Sequence, residues 1–454
     1  MIFYDLTIYN FFLQEKNDYQ NLKNFQLFPI FAALNASHMQ KQLVIACLMA
    51  LALPSQSQDL AYRMAASDHR MDTADVSSLF LAVDNISFFK DNEFDGEQSK
   101  GYSLPGLWVQ PKLVWQPLRS IRLEAGCHAL VFNGANKYPC YVYHDIGTWK
   151  GNQYQRGFHI LPFFRAQAQL KNLTFVLGDI YGGANHRVME PLMNPEINLT
   201  QDPEMGFQLL LDLPCYQLDA WINWQSYIFE EDTHQEAFTV GIHQKISLTP
   251  HPSTLNFKLS TLNFYIPLDI LIQHRGGEQD VTDLGVQTIT NGAVGLGLQW
   301  NTGRRILRSL TAEVAALACW QQSGKLWPFD FGVAGSCMVA ADFARDFRAF
   351  VGLFYARDFV SLYGAPFYST MSLKHQGDRF SSLLTPHVGV EWSHTFAKNY
   401  ILGAKVDAYP LYAGQLTKAD GTTQPATFSS NFSFGIYFRC HPRFLLINYA
   451  KKKD

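Results

Sequence analysis

The chain has 454 residues, 47% of them hydrophobic and 14% aromatic, but only 17% charged, where about 25% is usual for soluble domains. Its 35 Phe, 21 Tyr and 9 Trp supply too much burial for a disordered chain, and 36 basic against 39 acidic side chains leave no nucleic-acid footprint. The longest apolar run, residues 43–53, is well short of the roughly 18 residues a transmembrane helix needs.

That run lies between Met39-Gln40-Lys41-Gln42 and Pro54-Ser55-Gln56-Ser57-Gln58. A basic start, a short apolar stretch and a small-residue site make a secretory signal peptide of residues 39–57, cleaved after Ser57. Met39 then reads as the true start and residues 1–38 as a mis-assigned extension; an internal core helix is the other reading of the same run. Val44-Ile45-Ala46-Cys47 resembles a lipoprotein motif, but apolar sequence continues past the cysteine and leaves the preceding stretch too short. Residues 58–75 are expected as a short periplasmic segment. Export would place Cys127, Cys140, Cys215, Cys319, Cys337 and Cys440 in an oxidising compartment, where bridges can form. Each lies singly among apolar positions, which fits small packing residues better.

From residue 76 the chain alternates at period two. Ile121, Leu123, Ala125, Cys127, Ala129 and Val131 make one face of a strand, and Arg122, Glu124, Gly126, His128 and Leu130 the other. The same template predicts sixteen strands, at 76–88, 104–116, 120–132, 158–170, 172–181, 205–213, 217–229, 236–248, 254–267, 291–300, 309–321, 330–342, 345–357, 383–395, 400–409 and 430–438. All are at least as long as the roughly 9 residues that a tilted strand needs to cross hydrocarbon.

Connections after even-numbered strands are short, such as 117–119, Lys171 and 343–344, whereas those after odd-numbered strands are usually long, such as 133–157, 182–204 and 358–382. Short turns on one rim and long loops on the other predict an all-β, transmembrane antiparallel β-barrel of about 16 strands over residues 76–438, with short periplasmic turns and long extracellular loops. A soluble barrel or solenoid would alternate too, but it would not follow a signal peptide, and no fixed repeat is evident. Residues 439–454 are expected as a C-terminal tail.

Phe88-Phe89-Lys90-Asp91-Asn92-Glu93-Phe94, Gly101-Tyr102-Ser103-Leu104-Pro105-Gly106, Asn185-His186 with Glu190-Pro191, Asp202-Pro203-Glu204, and Trp224-Gln225 leading to Gln235-Glu236 carry a resemblance. In these stretches the chain resembles a group of uncharacterised outer-membrane barrel proteins of Bacteroides-type bacteria, over most of the sequence to about residue 245. The resemblance implies a barrel in the outer membrane of a Gram-negative bacterium and brings no catalytic residue with it.

A barrel of this size is wide enough for an aqueous channel. The inward register holds Lys112, Arg122, Glu124, His128, Arg165, Gln167, Asp219, Asn223 and Gln225, with Gln169, His243, Lys245, Glu313 and Glu391 beyond them. Mixed charge across a lumen biases which solutes pass, and the leading reading is porin-like passage of small hydrophilic solutes through these lining residues. The same groups would also satisfy one another in a plugged barrel. Residues 182–204 are the best candidate for a constriction, with Asn185, His186, Arg187, Glu190 and Glu204 as its polar groups; an ordinary exposed loop is the alternative. Trp108, Trp221, Tyr227 and Phe229 could form an aromatic track inside.

The other readings are an outer-membrane enzyme acting on lipid or lipopolysaccharide, with His128, His186, His243 and His387 as available bases, and a plugged barrel serving as a binding or assembly module. No GxSxG, HExxH or CxxC occurs, so catalytic residues, metal sites and cofactors are not expected. The expected partners are outer-membrane lipid and lipopolysaccharide and small solutes, with homo-oligomerisation by analogy with porins.

Overall fold

Sixteen long antiparallel strands close on themselves in chain order. The computed structural model describes residues 59–134, 157–229, 231, 233–249, 261–277 and 285–449. The expected signal peptide, the extension before it and Cys140 lie outside the described residues. Among those described, no helix is long and apolar enough to cross a membrane, which says nothing of strands.

The strands are β1 Ser78–Phe94, β2 Tyr102–Leu118, β3 Ile121–Phe132, β4 Gly157–Leu170, β5 Leu173–Asp179, β6 Met205–Asp212, β7 Tyr216–Ser226 and β8 Ala237–Ser247 in the first half. The second half has β9 Leu262–Arg275, β10 Gln287–Asn301, β11 Leu307–Ser323, β12 Phe331–Phe343, β13 Phe347–Arg357, β14 Leu383–Phe396, β15 Tyr400–Ala408 and β16 Asn431–Cys440. β16 pairs with β15 on one side and with residues 85–94 of β1 on the other, which closes the barrel. Every expected strand is present, and closure leaves no sheet edge at this seam.

The alternation has the expected inside-out sense. Leu113, Trp115, Val314, Val351, Val388, Phe432 and Ile436 are exposed, while Lys112, Glu124, Gln208, Asp269, His387 and Asp407 are buried. An apolar outer face stabilises only in contact with hydrocarbon, so the pattern is that of a barrel wall set in lipid.

Three differences from the sequence expectation have local causes. β9 runs eight residues later than expected, through Pro267, because its alternation continues from Phe264 to Ile272. Its ladder to β10 skips Ile266 and Pro267, where the proline has no N–H to offer. In β7 a register shift between Trp224 and Ser226 ends the strand, so Tyr227 and Phe229 lie beyond it, exposed, and are not an inward aromatic track. After Cys440 the chain continues as a strand, Arg443–Asn448, paired with residues 78–82 of β1, so the wall extends past residue 438.

The interior is packed by three segments. Residues 59–75 enter from the short-turn end as helix α1, Leu60–Ala65, capped by Asp59, whose carboxylate accepts the Tyr62 N–H at 2.8 Å. Leu60 and Met64, four residues apart on one helix face, are buried against Gly403 of β15, where any Cβ would stand 2.7 Å from Leu60. Lumen-facing Glu391 accepts the Leu60 N–H at 2.9 Å, and Arg439 donates to the carbonyls of Arg63 and Ala66 at 3.1 and 2.8 Å. Residues 180–204 and 358–382 fold in from the long-loop end and pack on each other: Asn194 donates to the Tyr363 carbonyl at 2.8 Å, and Ser361 donates to the Pro191 carbonyl at 2.6 Å. Their Ile180, Met189, Leu192, Phe359, Leu362 and Phe367 join Leu271, Ile289 and Phe354 of the wall in one apolar core.

Candidate functional site

The residues singled out from sequence converge on the interior in four polar groups. In the first, the Lys112 ammonium lies 3.1 Å from Asp84 and 3.0 Å from Glu124. Arg165 and Arg122 each approach Glu124 at 3.4 Å, and Arg165 donates to the carbonyls of Asp179 and Ile180 at 2.6 and 3.0 Å. Arg122 also donates to Gln167 at 2.7 Å and reaches back to the carbonyls of residues 68–70. His128 takes Gln110 on Nδ1 at 3.0 Å, beside Trp108.

The second group joins the expected constriction to the expected lining. His186 is fully buried, with Nδ1 2.8 Å from Asp219 and Nε2 3.2 Å from Glu204, and its ring lies 3.5 Å from Trp221 at 9°. The Gly183 N–H donates to Glu204 at 2.8 Å, and Gln208 donates to Asp219 at 2.9 Å. Both ring nitrogens of His186 are engaged, so it acts as a clasp that holds the loop to β7 and is not available as a base. Burial alone would depress this imidazole, but Asp219 and Glu204 outweigh burial and raise it from 6.5 to about 9. Burial likewise pushes Glu204 up, and the imidazolium and the Gly183 N–H outweigh that, holding the carboxyl below its ordinary 4.5.

This clasp has a defined pH window. Because the folded value of His186 lies above the unfolded one, its contribution is complete below about pH 6.5 and is lost as pH rises through about 9. Glu204 is shifted the other way, so its contribution is present above about pH 4.5 and is lost as pH falls below that. Amide hydrogen exchange over residues 183–204 is therefore expected to be slowest at pH 5–6.5 and to accelerate towards pH 9. Exchange independent of pH, after correction for intrinsic rates, would contradict the clasp.

The remaining constriction residues serve the same packing. Asn185 accepts the Ser67 N–H at 2.8 Å and donates to the Gly182 carbonyl at 2.7 Å, and Arg187 lies over the Tyr62 ring and donates to its hydroxyl at 2.7 Å. Glu190 approaches His387 at 3.6 Å. Asn223 accepts the Met205 N–H at 3.2 Å, and Gln225 donates to Thr239 and Tyr363 at 2.8 and 2.7 Å.

The third group is a carboxylate–imidazole pair. His243 Nδ1 is 2.6 Å from Asp269, which also accepts the Met189 N–H at 3.1 Å. Among the described residues, His243 Nε2 carries no hydrogen bond. A carboxylate on Nδ1 fixes the tautomer that leaves Nε2 with its lone pair, which is how an imidazole is set up to take a proton. The fourth group is saturated: His387 receives the Tyr368 hydroxyl on Nδ1 at 3.0 Å and contacts Asp407 through Nε2 at 3.2 Å, while Asp407 also accepts Tyr409 at 2.6 Å and Ser433 at 2.8 Å.

Sequence reasoning missed Asp84, Asp179, Asp269 and Asp407. Asp269 fell outside the expected ninth strand, which ended at Pro267. Asp407 sits near the end of the expected 400–409 strand, where its pairing with β14 could not be read. No three His, Cys, Asp or Glu side chains converge as metal ligands among the described residues. Cys127, Cys215, Cys319, Cys337 and Cys440 are unbridged.

The lipid A 3'-O-deacylase-type family matches residues 71–449. The chain belongs to this family. The match runs from just ahead of β1 to just past the strand Arg443–Asn448, so the whole wall and both inward loops fall within the lipid A 3'-O-deacylase-type region. No curated protein matches the chain.

Similar solved structures are outer-membrane barrels. OccAB3 of Acinetobacter baumannii is 10% identical, with a TM-score of 0.45, covering 81% of this chain and 100% of its own. OprD of Pseudomonas aeruginosa is 8% identical at 0.43, covering 84% and 98%, and the trimer form of OmpT of Vibrio cholerae is 9% identical at 0.42, covering 80% and 99%. At such identities and scores, nothing of what those proteins do carries over.

Proposed function

We propose that this chain is an outer-membrane hydrolase that removes an ester-linked acyl chain from lipid A. The observation that carries the reading is the family match over residues 71–449. The packed interior is consistent with it, because the charged lining is paired with itself and with inserted segments, an arrangement that serves a site better than a water-filled path.

His243 is the base we assign to the reaction. Its Nε2 takes a proton from a water molecule as the water oxygen attacks the ester carbonyl. The acyl–oxygen bond then breaks, and the proton passes to the departing sugar alkoxide, giving a free fatty acid and a deacylated glycolipid with a free hydroxyl. Asp269 holds the imidazole in the required tautomer and stabilises the imidazolium as it forms.

The test is to fold the purified chain into vesicles containing lipid A and to follow the glycolipid by mass spectrometry. Loss of one acyl chain with release of the matching fatty acid is the expected result. Unchanged lipid A together with stepwise conductance in planar bilayers would overturn it and favour passive passage, with Lys112, Arg122, Glu124 and Arg165 as lining.

A further inference from the structure

β5 and β6 have 7 and 8 residues, fewer than the roughly 9–11 that cross hydrocarbon. β5 starts and β6 finishes at the short-turn end, so the missing length is at the long-loop end. Gly178 is where the chain parts from β4: its φ is +93°, and a Cβ there would stand 2.3 Å from the Phe164 carbonyl oxygen. Its cross-strand partner is Gly206, where a Cβ would stand 2.1 Å from the Ile222 carbonyl oxygen. The flanking strands continue upward. β4 pairs with β5 only over residues 165–170, and β7 pairs with β6 only up to Asn223. Among the described residues, nothing pairs with the β5-facing edge of residues 157–164.

The result is a notch in the wall between β4 and β7, in the half nearer the long loops. Counted from the short-turn end, the roughly 9–11 residues of β4 that cross hydrocarbon end near Ile160, so the notch faces the outer leaflet. Its rim is apolar and open: Phe158 is 67% exposed, Ile160 56%, Phe164 51% and Leu177 59%, with Phe207 below. Its edge is polar backbone. The Phe164 N–H points to this side, where Asp179 accepts it at 2.5 Å, so residues 158, 160 and 162 direct their backbone groups the same way. Pro162 removes one donor, as edge strands often do, but the N–H groups of Phe158 and Ile160 and the carbonyls remain. An open strand edge is not tolerated against bare hydrocarbon. Behind the floor stand Arg165 and Asp179, and Arg165 belongs with Lys112, Arg122 and Glu124 to the buried ionic cluster described above.

An occupant that matches these features has hydrocarbon for the rim, hydroxyl or amide groups for the edge, and an anionic group able to meet the Arg165 guanidinium behind the floor. We propose that the notch between β4 and β7 is a lateral port that admits an acylated, anionic glycolipid of the outer leaflet to the barrel interior. The port rests on the lipid A reading above for its occupant and adds the route by which that substrate leaves the membrane plane.

The test places a photoreactive p-benzoylphenylalanine at Phe164, and in a second protein at Ile160, in the full chain. Val314, an outward residue on β11, serves as control. Each protein is folded into phosphatidylethanolamine vesicles holding a minor share of lipid A, irradiated, and its adducts identified by mass spectrometry. Lipid A adducts enriched about tenfold at Phe164 and Ile160 over Val314 are expected. Equal profiles at all three sites, a covalent dimer of the chain, or a crosslink within the chain would each overturn the port. Wild-type deacylation is scored separately: enrichment without deacylation keeps the port and removes the hydrolase, and deacylation without enrichment does the reverse.

Discussion

Replacing His243 by alanine is expected to lower lipid A deacylation about 10²–10⁴-fold, the usual range for removing a positioned proton acceptor. The side chain makes one hydrogen bond, to Asp269, so its removal should leave the barrel folded, as judged by heat-modifiable migration and intact β circular dichroism. Asp269→Asn is the sharper probe. An asparagine can still receive the Met189 N–H through its oxygen, but its amide would donate to Nδ1 and force the proton onto Nε2, abolishing the base without deleting it. A comparable loss of rate in both variants, with lipid A binding retained, is the expected outcome. Full activity in His243→Ala would remove His243 from the reaction, whatever the fate of the family-level assignment.

The second large effect concerns stability. Glu124 is buried and faces Lys112 at 3.0 Å and Arg122 and Arg165 at 3.4 Å, so it neutralises three cations that have almost no water to turn to. Glu124→Gln keeps the shape and leaves those cations with Asp84 and backbone carbonyls, and breaking a buried ion pair in this way costs about 3–5 kcal/mol. Reversible urea unfolding from vesicles should show that loss, and adding Lys112→Met should restore part of it, since the two sites are in contact and do not act additively. A loss below about 1 kcal/mol would mean that water reaches this cluster freely and that the interior is not packed around it.

The barrel itself was legible because lipid imposes a one-dimensional rule. Every second residue of a wall strand must be apolar, and a run such as Ile121 to Val131 states that rule without reference to any other strand. Deviations arose where backbone chemistry intervened: Pro267 interrupts one ladder without ending the strand, and the shift at Trp224 and Ser226 carries Tyr227 and Phe229 out of register. A signal for the inward loops was present too. Residues 358–382 carry Phe359, Val360, Leu362, Phe367 and Tyr368, a composition ill suited to a loop in water.

Strand number, facing and many of the inward polar residues were thus determined by the sequence alone, since each follows from period-two alternation along a single segment, whereas Asp84, Asp179, Asp269 and Asp407 were not among those found. What those residues do to one another was decided only by the tertiary structure. His186 meets Asp219 across 33 residues because a loop folds into the lumen, and His243 meets Asp269 because β8 and β9 pair in one register and no other. The port exists because the chain parts from β4 at Gly178, three residues short of the strand end that alternation implied. Register between strands and the path of a loop are set by contacts distant in sequence, and periodicity within one segment carries no record of them.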